Sequence, residues 1–121
     1  MVALAVLAQQ PDSATRTTLQ GAYTTDQARS GATVFKQVCA DCHAQTRFRD
    51  SAFLTGWKGR SVRDLFELIR TQMPQDNPGG LRRAEYADVL AYIFELQGLP
   101  AGASALPSDD AALRRIRIEP K

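Results

Sequence analysis

Residues 38–44, Val-Cys-Ala-Asp-Cys-His-Ala, hold both cysteines and the single histidine of a 121-residue chain. Cys39, Cys42 and His43 thus fall within five positions. Three chemistries use such a cluster: a structural zinc site, a redox dithiol, and attachment of a haem through two thioether bonds. The rest of the chain has to decide among them.

A structural zinc ion takes four protein ligands, usually in two spaced Cys/His pairs. Here three candidates sit in one cluster and no second pair exists. A thioredoxin-like dithiol belongs beside a strand in a βαβ unit, whereas the segment before Cys39 has helical periodicity. Haem attachment needs two thiols spaced for the porphyrin vinyl groups and a histidine directly after them to bind iron. CADCH meets that requirement unaltered. An electron carrier also fills the opposite axial position, commonly with a methionine sulfur. Besides Met1, the chain has one methionine, Met73, followed by Pro74 in QMPQDNPGG. Such a loop can hold a side chain over a flat ring; the bland alternative for Met73 is core filling.

Working outward, Thr25 or Asp26 is a good N-cap for QARSGATVFKQVCADC, in which Ala28, Ala32, Phe35 and Cys39 recur at helical spacing. This helix delivers its last turn into the cysteine cluster. From Ala44 to Arg60 the chain reads as irregular, with Gly56 and Gly59 flanking Trp57-Lys58. Ser61 is placed to cap a second helix, with Asp64 completing a short capping box. Its stripe is Val62, Leu65, Phe66 and Ile69, and it should stop before Met73 because Pro74 disfavours helix in the preceding residue. After the Pro/Gly loop, a third helix is expected from about Arg82 to Gln97, with Tyr86, Val89, Leu90 and Ile93 on one face and Gly98 as its stop. One or two helical turns are expected between Asp109 and Arg115. No stretch alternates as strands do, so the fold class is all-α.

Composition sets outer limits. Hydrophobic residues make up 44% and net charge is +2, which describes one small globular domain that would gain from a covalent staple. The charge is too mild for nucleic-acid binding. Between Arg47 and Arg63 lie Arg47, Arg49, Lys58, Arg60 and Arg63 against one acid, Asp50. That band is either a solvated face or a docking surface for an acidic partner. MVALAVLAQQ ends in a plausible signal-peptidase site and reads as the tail of a signal peptide over residues 1–8. It is too short to span a bilayer. Residues 9–23 are polar and read as a linker or arm, followed by a domain over 24–98 and an extension over 99–121 packing on it.

Over about Thr25 to Gly98 the chain resembles the class I c-type cytochromes. Gly31 and Phe35 in the first helix, with VLAYI (Val89 to Ile93) in the last, are similar to that family's helix crossing, Tyr92 being the second aromatic. The tail LPAG…LPSDDAALRRIRI is similar to haem domains associated with bacterial periplasmic quinoprotein dehydrogenases. The resemblance implies a cytochrome c-like fold, three main helices around one covalently bound haem c per chain. It implies Cys39 and Cys42 as attachment points, His43 and Met73 as iron ligands, and Trp57 against the haem edge with its indole near a propionate; Arg60 is a further candidate there.

One departure stands out. Many members place a proline after CxxCH whose carbonyl accepts from the ligand histidine, and none lies between His43 and Met73. A carbonyl between Phe48 and Phe53 is expected instead, and Phe35, Phe53, Leu65, Ile69, Leu81, Leu90 and Phe94 are expected around the ring. The implied role is a periplasmic single-electron carrier, a monomer or a subunit of a complex, between a dehydrogenase donor and an oxidase or cytochrome acceptor. The competing readings are a haem subunit of a larger redox enzyme, or a peroxidase-like haem protein, for which no second histidine is present.

Overall fold

A computed structural model describes residues 15–121; the expected signal remnant at 1–8 lies outside them. In chain order it contains β1 (Arg16–Thr17), a 3₁₀ turn (Thr18–Gln20), α1 (Thr25–Val34), a π turn (Phe35–Cys39), α2 (Gln45–Arg49), α3 (Ala52–Thr55), α4 (Val62–Gln72), α5 (Arg83–Leu96), α6 (Asp110–Arg114) and β2 (Ile116–Arg117). The fold is all-α apart from one two-residue pair of strands.

Thr24, one residue before the expected position, caps α1 by accepting from Gln27 N–H at 3.1 Å. The α1 helix does not run evenly into the cysteines. Ala40 N–H bonds to Phe35 O at 2.9 Å, an i→i−5 bond that widens the last turn. The stretch expected as irregular contains two short helices, α2 and α3. At α4, Ser61 is the N-cap by backbone position, but its hydroxyl makes no cap bond. The expected capping box fails because Asp64 pairs with Arg60 and Arg63 instead.

The α5 helix is buried far beyond the single stripe that periodicity suggested. Tyr86, Ala87, Leu90, Ala91 and Phe94 enter the main core with Leu54, Val62, Leu65 and Phe66. Val89, Tyr92 and Ile93 join Phe35 in a second cluster. A central helix between two apolar masses has little need of a polar face. Gly98, at φ +76°, ends α5 with Leu99 N–H bonding back to Phe94 O at 3.1 Å, the left-handed stop that glycine adopts without a Cβ penalty.

The α1 and α5 helices cross backbone to backbone. A Cβ on Gly31 would stand 1.8 Å from Asp88 O. Phe35 and Tyr92 meet beside the crossing, ring centroids 5.5 Å apart.

Residues 15–23 are not a polar arm. The β1 strand pairs in parallel with β2, Arg16 opposite Ile116, and Thr18, Ala22 and Tyr23 are buried. Thr18 Oγ1 donates to Glu119 O and accepts from Glu119 N–H, both at 2.9 Å. Local composition reads such residues as solvated because their partners are a chain-length away. Leu106, Leu113, Ile116 and Ile118 of the tail belong to the same core as the helices.

Candidate metal centre

The cysteine cluster is a tight turn gathered on one carbonyl. Cys42 N–H and His43 N–H both donate to Cys39 O, at 3.1 and 2.9 Å. The π turn ahead of it sets where this carbonyl points. Burial pushes the Cys39 thiol above its ordinary pKa, and the neighbouring Cys42 adds to the shift. A thiol held protonated is a poor nucleophile, the opposite of what a reactive dithiol requires. Among the described residues, no three His, Cys, Asp or Glu side chains converge on a possible metal position.

His43 sits at the end of an aromatic series. Tyr92 packs on Phe35, Phe35 on Phe48 at 5.7 Å, and Phe48 on His43 at 5.6 Å, all edge-on. Phe53 packs against Phe48 from the other side at 5.0 Å. Gln45 Nε2 donates to Tyr92 Oη at 2.7 Å and ties the segment after His43 to α5. The imidazole Nδ1 is buried and has no hydrogen-bond partner. The expected carbonyl acceptor between Phe48 and Phe53 is therefore not found. Phe48 O and Asp50 O accept instead from Gln97 Nε2, the latter at 2.9 Å. The α5 C-terminus holds this loop, a role no local sequence signal announces.

Met73 follows α4 directly. Its N–H donates to Ile69 O at 2.8 Å and its carbonyl accepts from Tyr86 Oη at 2.6 Å. The Met73–Pro74 peptide is cis.

Cys39, Cys42, His43, Trp57 and Met73 all line one cavity of about 900 Å³, at the upper end of the usual range for ligand sites. Of the expected apolar lining, Phe35, Phe53, Leu65 and Ile69 are present. Leu81, Leu90 and Phe94 are not, and Phe48, Val89 and Ile93 take their place. Val89 and Ile93 are one turn apart, so they share the α5 face toward the cavity, while Leu90 and Phe94 share the next face and enter the main core. The Arg60 guanidinium lies 4.5 Å over the Trp57 ring and pairs with Asp64; Arg47 is the arginine on the cavity wall.

An all-α fold around an apolar cavity open on one side, with a CxxCH turn in its wall, defines the class: a c-type cytochrome domain. The chain belongs to the family described as cytochrome c oxidase, cbb3-type, subunit III, whose model matches residues 26–93, more than half of the chain. No curated protein and no solved structure matches it. As a cytochrome c domain it binds haem covalently, transfers electrons and works with redox protein partners. No helix among the described residues is long and apolar enough to cross a membrane.

The residues present fit that cofactor: an apolar cavity of suitable volume, two thiols and an imidazole on its wall, and a thioether on the same lining.

Proposed function

We propose that the chain is a monohaem single-electron carrier with His43 and Met73 as the axial pair and Cys39 and Cys42 as the points of attachment. The observation that carries this is the convergence of all four side chains on one cavity, although 30 positions separate His43 from Met73. Bound there, the haem supplies a one-electron iron couple. The protein's part is to hold, orient and enclose. With Nδ1 buried in the protein, Nε2 is the His43 nitrogen available to iron, and Phe48 sets the plane of the ring. With His43 and Met73 both holding the iron, the protein would keep water off the metal, and little would rearrange on electron transfer. A thioether favours the ferrous state, as does the apolar wall of Phe35, Phe53, Leu65 and Ile69. Trp57, on the same wall, is suited to lie against the ring edge.

Arg47, Arg49 and Lys58 are exposed, whereas Arg63 is engaged by Asp64, Glu67 and Asp110. Of these, Arg47 lines the cavity, and the exposed basic residues suit an acidic partner face, where complementary charge chiefly raises the encounter rate. We assign the donor as a dehydrogenase, the acceptor as an oxidase or another cytochrome, and the compartment as the periplasm.

The test is the absorption spectrum of the oxidised holoprotein and its Met73→Ala variant. The wild type should show the weak far-red band of thioether-to-iron charge transfer, and the variant should lose it. A wild type without the band refutes the axial assignment. Ready binding of cyanide or carbon monoxide to the undenatured wild type would favour the peroxidase-like reading. A second reading, a haem subunit of a larger redox enzyme, is favoured by the matched family's description as an oxidase subunit. Affinity isolation of the native chain separates the two: a free monomer supports the carrier, a stoichiometric complex the subunit.

A further inference from the structure

We propose that Tyr86 is the positioning residue for Met73, fixing its backbone and so how firmly its sulfur is held toward iron; this rests on Met73 being the second axial ligand. Met73 opens a loop containing two prolines and two glycines. The turns within that loop, Asn77 N–H to Pro74 O and Gly80 N–H to Asn77 O, both at 2.9 Å, shape it without anchoring it to the helices. Its anchors are at its ends. The Met73 N–H is held by Ile69 O of α4, and the Met73 carbonyl by the Tyr86 hydroxyl of α5 at 2.6 Å. The same hydroxyl receives a longer bond, 3.4 Å, from Leu81 N–H at the far end of the loop. One phenol oxygen therefore closes both ends of the segment that carries the sulfur.

Tyr86 is built to be rigid. It is 2% exposed, lies on the buried central helix and packs edge-on against Phe66 at 6.4 Å. Its hydroxyl contacts the backbone of Met73, not iron or porphyrin, so it acts through the ligand's position. A thioether is a weak, neutral ligand, and its hold on iron depends on how far the chain pre-places it. Without the Tyr86 bond the carbonyl is free to turn and the sulfur leaves iron more easily.

The experiment compares holoproteins of the wild type, Tyr86→Phe, Met73→Ala and Tyr23→Phe by imidazole titration of the ferric state, with the far-red band as a second readout. Tyr23 is the control because its buried hydroxyl also donates to a carbonyl, Leu99 O at 2.7 Å, on the N-terminal segment and tail rather than on the Met73 loop. Tyr23→Phe removes one hydrogen bond, and Tyr86→Phe removes one short bond and one long one; both keep the ring. Imidazole should bind Tyr86→Phe about three- to tenfold more tightly than wild type, the range expected for one net hydrogen bond. Tyr23→Phe should match the wild type although it too loses a hydrogen bond to a backbone carbonyl. If Tyr86→Phe stays within about twofold of wild type with the band intact, or if Tyr23→Phe shifts equally, the role of Tyr86 is overturned and Met73 ligation stands. If the wild type lacks the band and Met73→Ala binds imidazole no more tightly, ligation by Met73 fails and this proposal fails with it.

Discussion

Gly31 has no room for a side chain, and the reason lies on another helix. A Cβ there would meet the Asp88 carbonyl at 1.8 Å, and neither backbone can give way without separating α1 from α5. Alanine is normally the better helix former by up to about 1 kcal/mol, but overpacking a close crossing costs roughly 1–3 kcal/mol or more. Gly31→Ala should therefore lose about 2 kcal/mol in denaturant unfolding. Gly56→Ala, where nothing lies within 4 Å and φ is −69°, should stay within about 0.5 kcal/mol of wild type. Equal effects at the two sites would refute the crossing. Single residues were the most legible part of the sequence: the spacing within CADCH narrowed its chemistry to three readings, and the rest of the chain chose among them. What the pattern could not supply was the second contact of each residue. The acceptor expected for His43 Nδ1 is absent, and in that loop Phe48 O and Asp50 O accept from Gln97, more than 50 positions on from His43.

At the scale of elements, α4 is tied to α5 and to the tail by charge. Glu67 receives two hydrogen bonds from Arg70, at 2.6 and 3.0 Å, and lies 3.8 Å from Arg83. Arg83 and Arg63 both reach Asp110 of α6. The Arg70 hydrogen bond holds the Glu67 carboxyl below the usual carboxylate range, and the charges of Arg70, Arg83 and Arg63 act in the same direction against burial. A carboxyl whose pKa is depressed by folding stabilises the fold above its unfolded pKa, near 4.3, and loses that contribution as the pH falls through its folded value. Glu67→Gln should thus lose about 0.5–1 kcal/mol at neutral pH, the solvent-screened worth of such pairs. The difference should close as acid protonates Glu67, and unfolding midpoints across the acid range would show it. Of the elements, α4 and α5 were read from sequence to within a residue or two, because apolar period and stop signals agree there. The π turn and the short helices α2 and α3 carry no such period; packing around His43 shapes them.

Across the whole molecule, the two ends of the described chain close on each other. The β2 strand lies between β1 and the Gly59–Ser61 segment, with Gly59 N–H on Ile118 O and Ile118 N–H on Arg60 O. Thr18 locks the seam through both polar groups of Glu119. Thr18→Val keeps the shape but leaves those groups unpaired, so it should cost about 1–3 kcal/mol while leaving the far-red band unaltered. Loss of the band in a variant that remains folded would mean that the seam reaches the metal centre. By itself, the sequence determined the helical class and the two helices that flank Met73, because each depends on contacts within a few residues. Tertiary structure alone decided that Thr18, Ala22 and Tyr23 are buried, which face of α5 lines the cavity, and that Tyr86 holds Met73. These depend on pairs far apart in the chain, and local periodicity carries no information about which distant group satisfies a hydrogen bond or covers an apolar face.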